Sequence, residues 1–254
     1  MDDTLLRNSQ KIIKRNRNGK NRNGKKMKRT MAAKATSNFS PAFPLRLHLR
    51  SDLHIARKIW HAGMGIVICS IYYLSGISRS SGLMLLGSVL GLDLMMETAR
   101  LKSPVLNEKI LKVWGPLMRS CEVNQLSGVP YYVGASILTI AIFPKPIAIL
   151  SILYLACGDP VASLFGILYG KRSIRIASGK SLIGTSAGVV TCMIATFVFL
   201  KSMNISDGML AILTLVGGLA GGTAELLPLE IDDNFSIPVV SGFVLWLAFI
   251  LLGI

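Results

Sequence analysis

Apolar and polar positions in this chain do not alternate residue by residue; they segregate into long blocks. From Trp60 onward seven apolar runs follow one another, at roughly 60–77, 81–96, 129–143, 145–169, 183–200, 208–227 and 236–253. Continuous runs of this kind predict membrane-crossing helices, because about 20 apolar residues span the hydrocarbon core of a bilayer. The second and third runs are short for a full span and are expected to extend into flanking polar turns. Gly217-Gly218 and Gly221-Gly222 place small residues four apart, a spacing that lets helices approach closely in lipid, and are read as packing positions. The expected fold is therefore all-α, a polytopic membrane protein with about seven transmembrane helices.

Composition supports that pattern and shows where the charge lies. The 254 residues are 51% hydrophobic and 16% charged, with a mean hydropathy of +0.53, which argues against an ordinary soluble domain. The net charge is +15, and most of it sits at the amino end: residues 1–34 carry twelve Lys or Arg against Asp2 and Asp3. Residues 1–50 are expected to form a disordered basic cytosolic tail and residues 51–254 a membrane-embedded domain. The tail has no apolar core of a secretory signal. Its run Lys25-Lys26-Met27-Lys28-Arg29 is the kind drawn to anionic lipid heads. No aromatic residues interleave with the run, so no specific nucleic-acid partner is expected. The four cysteines are scattered and read as small apolar residues.

Lys and Arg also set an expected orientation, because cytoplasmic loops carry an excess of them. With the amino terminus inside, the 97–128, 170–182 and 228–235 loops are inside as well, and the carboxyl terminus is outside. In the first of these loops Leu106, Ile110, Val113, Trp114 and Leu117 recur at helical spacing, predicting an amphipathic segment at the interface.

Most polar residues that interrupt the apolar pattern then fall near one face. Arg57 and His61 are four apart beside Lys58 at the start of the first run, and Asp93 and Glu97 are four apart at the end of the second. Glu122 and Asn124 lie in the first inner loop, and Asp159 is inside the fourth run. Glu225, Glu230, Asp232, Asp233 and Asn234 cluster after the sixth. Charges inside apolar segments are costly and tend to mark a working site. Carboxylates facing bases across such a mouth suit a divalent metal bound to polyphosphate. No Walker A loop is present, since Ile174 stands where its first glycine belongs; Gly184-Thr185-Ser186 is a weaker phosphate cradle at a helix start. No nucleophile elbow or zinc motif occurs.

These residues also resemble a known family. Ala56-Arg57-Lys58-Ile59-Trp60-His61 is similar to the Arg-Lys-x-x-His entry of the CTP-dependent lipid kinases, the group of fungal-type diacylglycerol kinase, dolichol kinase and phytol kinase. The segment Leu117-Met118-Arg119 through Glu122 and Asn124 to Gly128 resembles the diacylglycerol kinase branch. Gly158-Asp159-Pro160-Val161-Ala162-Ser163 with Gly166 and Gly170-Lys171 resembles the family core. Lys180-Ser181 with Gly184-Thr185, and Glu225 with Asp232-Asp233-Asn234 and Pro238, resemble its two later elements. Pro130 departs from the pattern and is expected to shorten its helix.

The resemblance implies transfer of the γ-phosphate of CTP to a lipid hydroxyl, with diacylglycerol as first-choice acceptor and phosphatidate and CDP as products. It implies Asp159 as Mg²⁺ ligand (or ligand of another divalent cation such as Ca²⁺) or as proton acceptor. Arg57, Lys58, Lys171 and Lys180 would hold triphosphate, with His61 beside them. Ser181, Gly184, Thr185 and Gly166 fall in the nucleotide elements. Glu225, Asp232 and Asp233 would complete a metal shell, and Asn124 or Asn234 would orient the nucleotide. A polyprenol or phytol kinase, a cytidylyltransferase using CTP, and a transporter are the alternatives. The expected site is a multi-pass membrane location, the endoplasmic reticulum or nuclear envelope in a eukaryote and the inner membrane in a bacterium. Gly158-Asp159-Pro160 is expected to break the fourth helix, so that its ends line a polar pocket.

Overall fold

The structure, a computed structural model, describes residues 55–170, 173–176, 179–227 and 231–254. The expected basic tail, Lys171 and Glu230 lie outside the described residues. Each of the seven apolar runs is helical. Helix α1 is Ile55–Leu74, α2 is Arg79–Lys102, and a short α3, Pro104–Trp114, follows at once. Helix α4 is Gly128–Ile142. Next come α5 (Lys145–Leu153), a π-turn (Tyr154–Gly158) and α6 (Asp159–Tyr169). Helices α7 (Leu182–Lys201), α8 (Asp207–Thr223) and α9 (Asp233–Leu251) complete the chain.

Among the described residues five segments are long and apolar enough to cross a membrane: α2, the α5–α6 run, α7, α8 with its following turn, and α9. Helix α1 has the length, but Arg57, Lys58 and His61 crowd its first turns. Helix α4 stops at 15 residues. The second run does extend into its flanks, reaching 24 residues. Pro130 does not shorten α4 from within; it lies in the first turn, where its missing N–H has no intrahelical partner to lose. The outer faces are greasy in a way a water-soluble protein rarely shows. Met84, Leu92 and Met95 of α2 and Ile194 and Val198 of α7 are all more than half exposed. The chain is an integral membrane protein whose outer helix faces meet lipid.

The expected break at Gly158-Asp159-Pro160 takes another form. The helix stays continuous, and the strain of Pro160 is absorbed by widening one turn. The Asp159 N–H reaches five residues back to the Tyr154 carbonyl. Around this turn the core is dense: Tyr154 and Leu155 are fully buried, and the Tyr154 hydroxyl lies 2.6 Å from Thr196 Oγ1. Helices α7 and α8 cross tightly. A side chain at Gly222 would come within 2.5 Å of the Val189 backbone, so the paired glycines serve packing, as their spacing predicts.

The helices bring their polar termini to two ends. At one end meet the starts of α1, α4 and α9, the ends of α2, α6 and α8, and the loop before α7; hydrogen bonds between these segments tie them together. The other end is sparser, with Arg79 donating to the Phe143 carbonyl and Lys145 over the Tyr72 ring. Helix α3 lies at the polar-rich end, with Val113 and Trp114 of the expected apolar face turned outward, where an interfacial helix meets lipid. Asn107 and Leu111 are buried, whereas Val105 and Val113 are 66% and 71% exposed. Asn107 turns inward because its side chain donates to the Val123 carbonyl and accepts from Arg100.

Candidate active site

Helix α1 presents Arg57, Lys58 and His61 to two different neighbours. On one side Arg57 grips the loop that precedes α4. Its two terminal nitrogens each lie 3.1 Å from a Glu122 oxygen, and it also donates to the Leu117 carbonyl. Glu122 in turn accepts the Arg119 backbone N–H. Behind this clamp Arg100 is fully buried. It forms a two-pronged pair with Glu97 and donates to Asn107 and to the carbonyls of Glu122, Val123 and Gln125. Glu97 also accepts the Ser127 N–H. The loop is thus held at several points by hydrogen bonds to charged side chains.

On the other side of α1 the contacts are few. Lys58 Nζ donates to Ser163 Oγ at 2.7 Å and, among the described residues, makes no ion pair. His61 is 9% exposed, its ring packs edge-on against Tyr132 at 4.7 Å, and its Nε2 has no hydrogen-bond partner. That nitrogen is 3.9 Å from Asp159 Oδ2, beyond hydrogen-bond length. Asp159 and Ser163 are one turn apart on α6, which is why α1 meets both. Asp159 is electrostatically central: its charge acts on Lys58, His61, Lys180 and Glu225.

The third part of the site is a stitch between loops. Gly179 adopts φ +74, a left-handed turn that suits glycine, in a tight hairpin closed by the Ile176 N–H on the Lys180 carbonyl. The turn directs Lys180 onto Glu225 at 2.6 Å and Asp233 at 3.2 Å. Burial by itself lowers the Lys180 pKa, but the charges of Glu225 and Asp233 outweigh it and hold the ammonium above its ordinary range. Asp232 caps α9 through the Asn234 N–H and pairs with Arg119 at 3.4 Å.

Several expected roles change against this geometry. The shell of Asp159, Glu225, Asp232 and Asp233 does not converge: among the described residues no three acidic, His or Cys side chains are grouped to hold a metal. The Lys180 ammonium already occupies the place between Glu225 and Asp233, and Asp232 is turned to Arg119 and the α9 cap. Gly184 and Gly166 are packed against each other at the α6–α7 crossing. A Cβ on Gly184 would lie 2.7 Å from the Ala162 carbonyl oxygen, and the Gly184 N–H is taken by Ser181 Oγ. Ser181 is thereby the α7 cap, while Thr185 is buried with an unpartnered hydroxyl. Asn124 is exposed on its loop. Asn234 is buried and bonded to the Gly128 carbonyl. Asp93 and Glu97 line the same cavity, as their spacing predicts, and Glu97 is paired with Arg100. Sequence reading missed Arg100 as a fixture, treating it as a loop charge; its i,i+3 spacing from Glu97 was the available signal. It also missed Tyr132, which has no charge or motif to mark it.

Comparison with known proteins now bears on the site. The CTP-dependent diacylglycerol kinase 1 of Schizosaccharomyces pombe is 32% identical over 160 residues, covering 59% of this chain and 73% of that protein. The chain belongs to the CTP-dependent lipid kinase family. The proteins of the same name from Eremothecium gossypii and Saccharomyces cerevisiae are 31% and 29% identical over 205 residues. This chain spans 64% and 70% of their respective lengths. A chloroplastic farnesol kinase of Arabidopsis thaliana is 27% identical over 210 residues, 78% of this chain and 66% of that protein, which extends the lipid kinase kinship to a second named activity. No family model and no solved structure matches the chain.

Proposed function

We propose that the chain is a CTP-dependent lipid kinase that transfers the γ-phosphate of CTP to diacylglycerol, giving phosphatidate and CDP. The observation that carries this reading is Asp159, a carboxylate set in an apolar helix beside Lys58 and His61, with no Lys or Arg paired to it among the described residues. Three relatives named as CTP-dependent diacylglycerol kinases support the donor and the acceptor. In the step, the acceptor hydroxyl oxygen attacks the γ-phosphorus, the bond from that phosphorus to the β-phosphate oxygen breaks, and CDP leaves. The hydroxyl proton passes to Asp159. Lys58, free of ion pairs among the described residues, meets the phosphate charge. Arg57 acts by holding the Glu122 loop in place.

Among the described residues of the site, Arg57, Lys58, Arg119 and Lys180 stand against Glu122, Asp159, Glu225, Asp232 and Asp233. The set is balanced rather than basic, which favours a triphosphate that brings its own divalent cation. That ion would be Mg²⁺, which keeps much of its water and needs few protein ligands.

A second acceptor class, isoprenoid alcohols, is favoured by the farnesol kinase relative. The proposed membrane is the endoplasmic reticulum or nuclear envelope for a eukaryotic source and the inner membrane for a bacterial one. The test is purified protein with γ-labelled CTP or ATP and a panel of diacylglycerol, farnesol, phytol and dolichol. Label in phosphatidate with CTP, and release of CDP, is the expected result. Label from the α-phosphate entering lipid would mean a cytidylyltransferase instead, and no transfer to any lipid would sink the kinase reading.

A further inference from the structure

A cavity of about 150 Å³ lies beside the site, between the start of α1, the end of α2, α3 and the start of α4. Its walls are largely apolar, with Trp60, Met64, Met96, Trp114 and Val129 among them. The charged residues on its lining are mostly committed elsewhere: Arg57 to Glu122, and Glu97 to Arg100. Two lining residues carry buried side-chain atoms without a partner, His61 Nε2 and Asp93 Oδ2. A greasy chamber with satisfied charges and a few open hydrogen-bonding atoms suits a neutral amphiphile and repels a nucleotide triphosphate.

We infer that this cavity holds the head of the acceptor diacylglycerol, with the lipid's free hydroxyl turned towards His61. The assignment rests on the lipid kinase reading above and adds where the acceptor lies. His61 lines the cavity and its Nε2 lies 3.9 Å from Asp159 Oδ2, so the imidazole stands between the lipid head and the carboxylate. The Tyr132 ring keeps the imidazole at that angle. Met96 lines the chamber, while Leu92 and Met95 on the same stretch of α2 are 68% and 71% exposed, giving the acyl chains a path into the surrounding lipid. The acceptor thus enters from the bilayer through the α1–α2 side, and the nucleotide approaches Lys58 and Lys180 from the other side of His61.

The test uses the full chain in vesicles with a diazirine-bearing diacylglycerol and no nucleotide, followed by mapping of the labelled peptides. Labelling of α1 or α2 near Met64 and Met96, competed by plain diacylglycerol and not by CTP, is the expected result. Labelling confined to α7 or α8 would overturn the assignment, and competition by farnesol but not by diacylglycerol would overturn the chosen occupant. Val129→Phe, which fills the chamber, should raise KM for diacylglycerol about tenfold and leave KM for CTP unchanged; an unchanged lipid KM in a folded variant would count against the site. The two readings fail separately. Cavity labelling without any transfer from CTP would reject the kinase and keep the lipid site, whereas normal transfer with labelling elsewhere would reject the lipid site alone.

Discussion

Arg57 and Lys58 are neighbours in sequence, yet the regions they face have opposite characters. On the Arg57 side the charges that hold the loop are answered. Glu122, Arg100 and Glu97 each make several hydrogen bonds, and together they fix the path of the loop before α4. On the Lys58 side one lysine rests on a serine hydroxyl, a histidine nitrogen has no partner, and a carboxylate faces it from beyond bonding distance. Fully answered charges hold geometry, and under-answered ones are available to a substrate. The motif residues of the family are divided between these two tasks, although all of them look alike as charged residues in an apolar chain.

That division can be broken experimentally. Asp159→Asn keeps the shape of the side chain and removes its capacity to take a proton. Transfer should fall by about a thousandfold or more, while the thermal melt of the detergent-solubilised protein stays in place; near-normal turnover would remove Asp159 from the reaction. Arg100→Met should do the reverse. It strands a buried Glu97 and should cost about 3–5 kcal/mol of stability, read as early thermal inactivation with normal specific activity in the surviving fraction. Adding Glu97→Leu should restore most of the loss, and a double variant no better than the single would show that Arg100 works through its loop carbonyls instead. Lys58→Ala should lower kcat/KM for CTP about a hundredfold, roughly the loss of one or two charged contacts to phosphate, with unfolding unchanged. The smallest effect belongs to Arg119→Ala. Its pair with Asp232 is 3.4 Å long and about a quarter exposed on each side, so stability should change by less than about 1 kcal/mol. A large loss of CTP affinity in that variant would move Arg119 to the substrate side of the comparison.

The helices were legible because lipid imposes one rule on every outward face, and each of the seven apolar runs became a helix. The ends of those helices were harder. A run's hydropathy does not say whether Pro160 breaks a helix or is absorbed by a wider turn; that depends on the packing of Tyr154 and Leu155 behind it. The meeting of α1, α6, α8 and α9 at one end followed from alternating crossings and the positions of the charges. Which carboxylate pairs with which base did not, because pairing is decided in three dimensions by loops such as the Gly179 turn. Glu225 and Asp233 look like metal ligands in sequence, and Lys180 reaches them only because that turn aims it there. Asn107 of α3 was unreadable for a related reason: a polar residue is buried when another buried charge needs it.

The π-turn at Tyr154–Gly158 has a consequence for how this chain can change length. It accommodates one residue more than a regular helix would, and a residue in an α-helix is worth about 100° of rotation. Deleting a single residue there, Cys157 for instance, would leave an uninterrupted and better-bonded helix. Because the widened turn absorbs that residue, Asp159 and Ser163 would still face His61 and Lys58. The turn is therefore a place where the chain can lose one residue and keep its alignment, whereas a deletion between Asp159 and Ser163, in the regular part of α6, would rotate one against the other by about 100° and part the two contacts to α1.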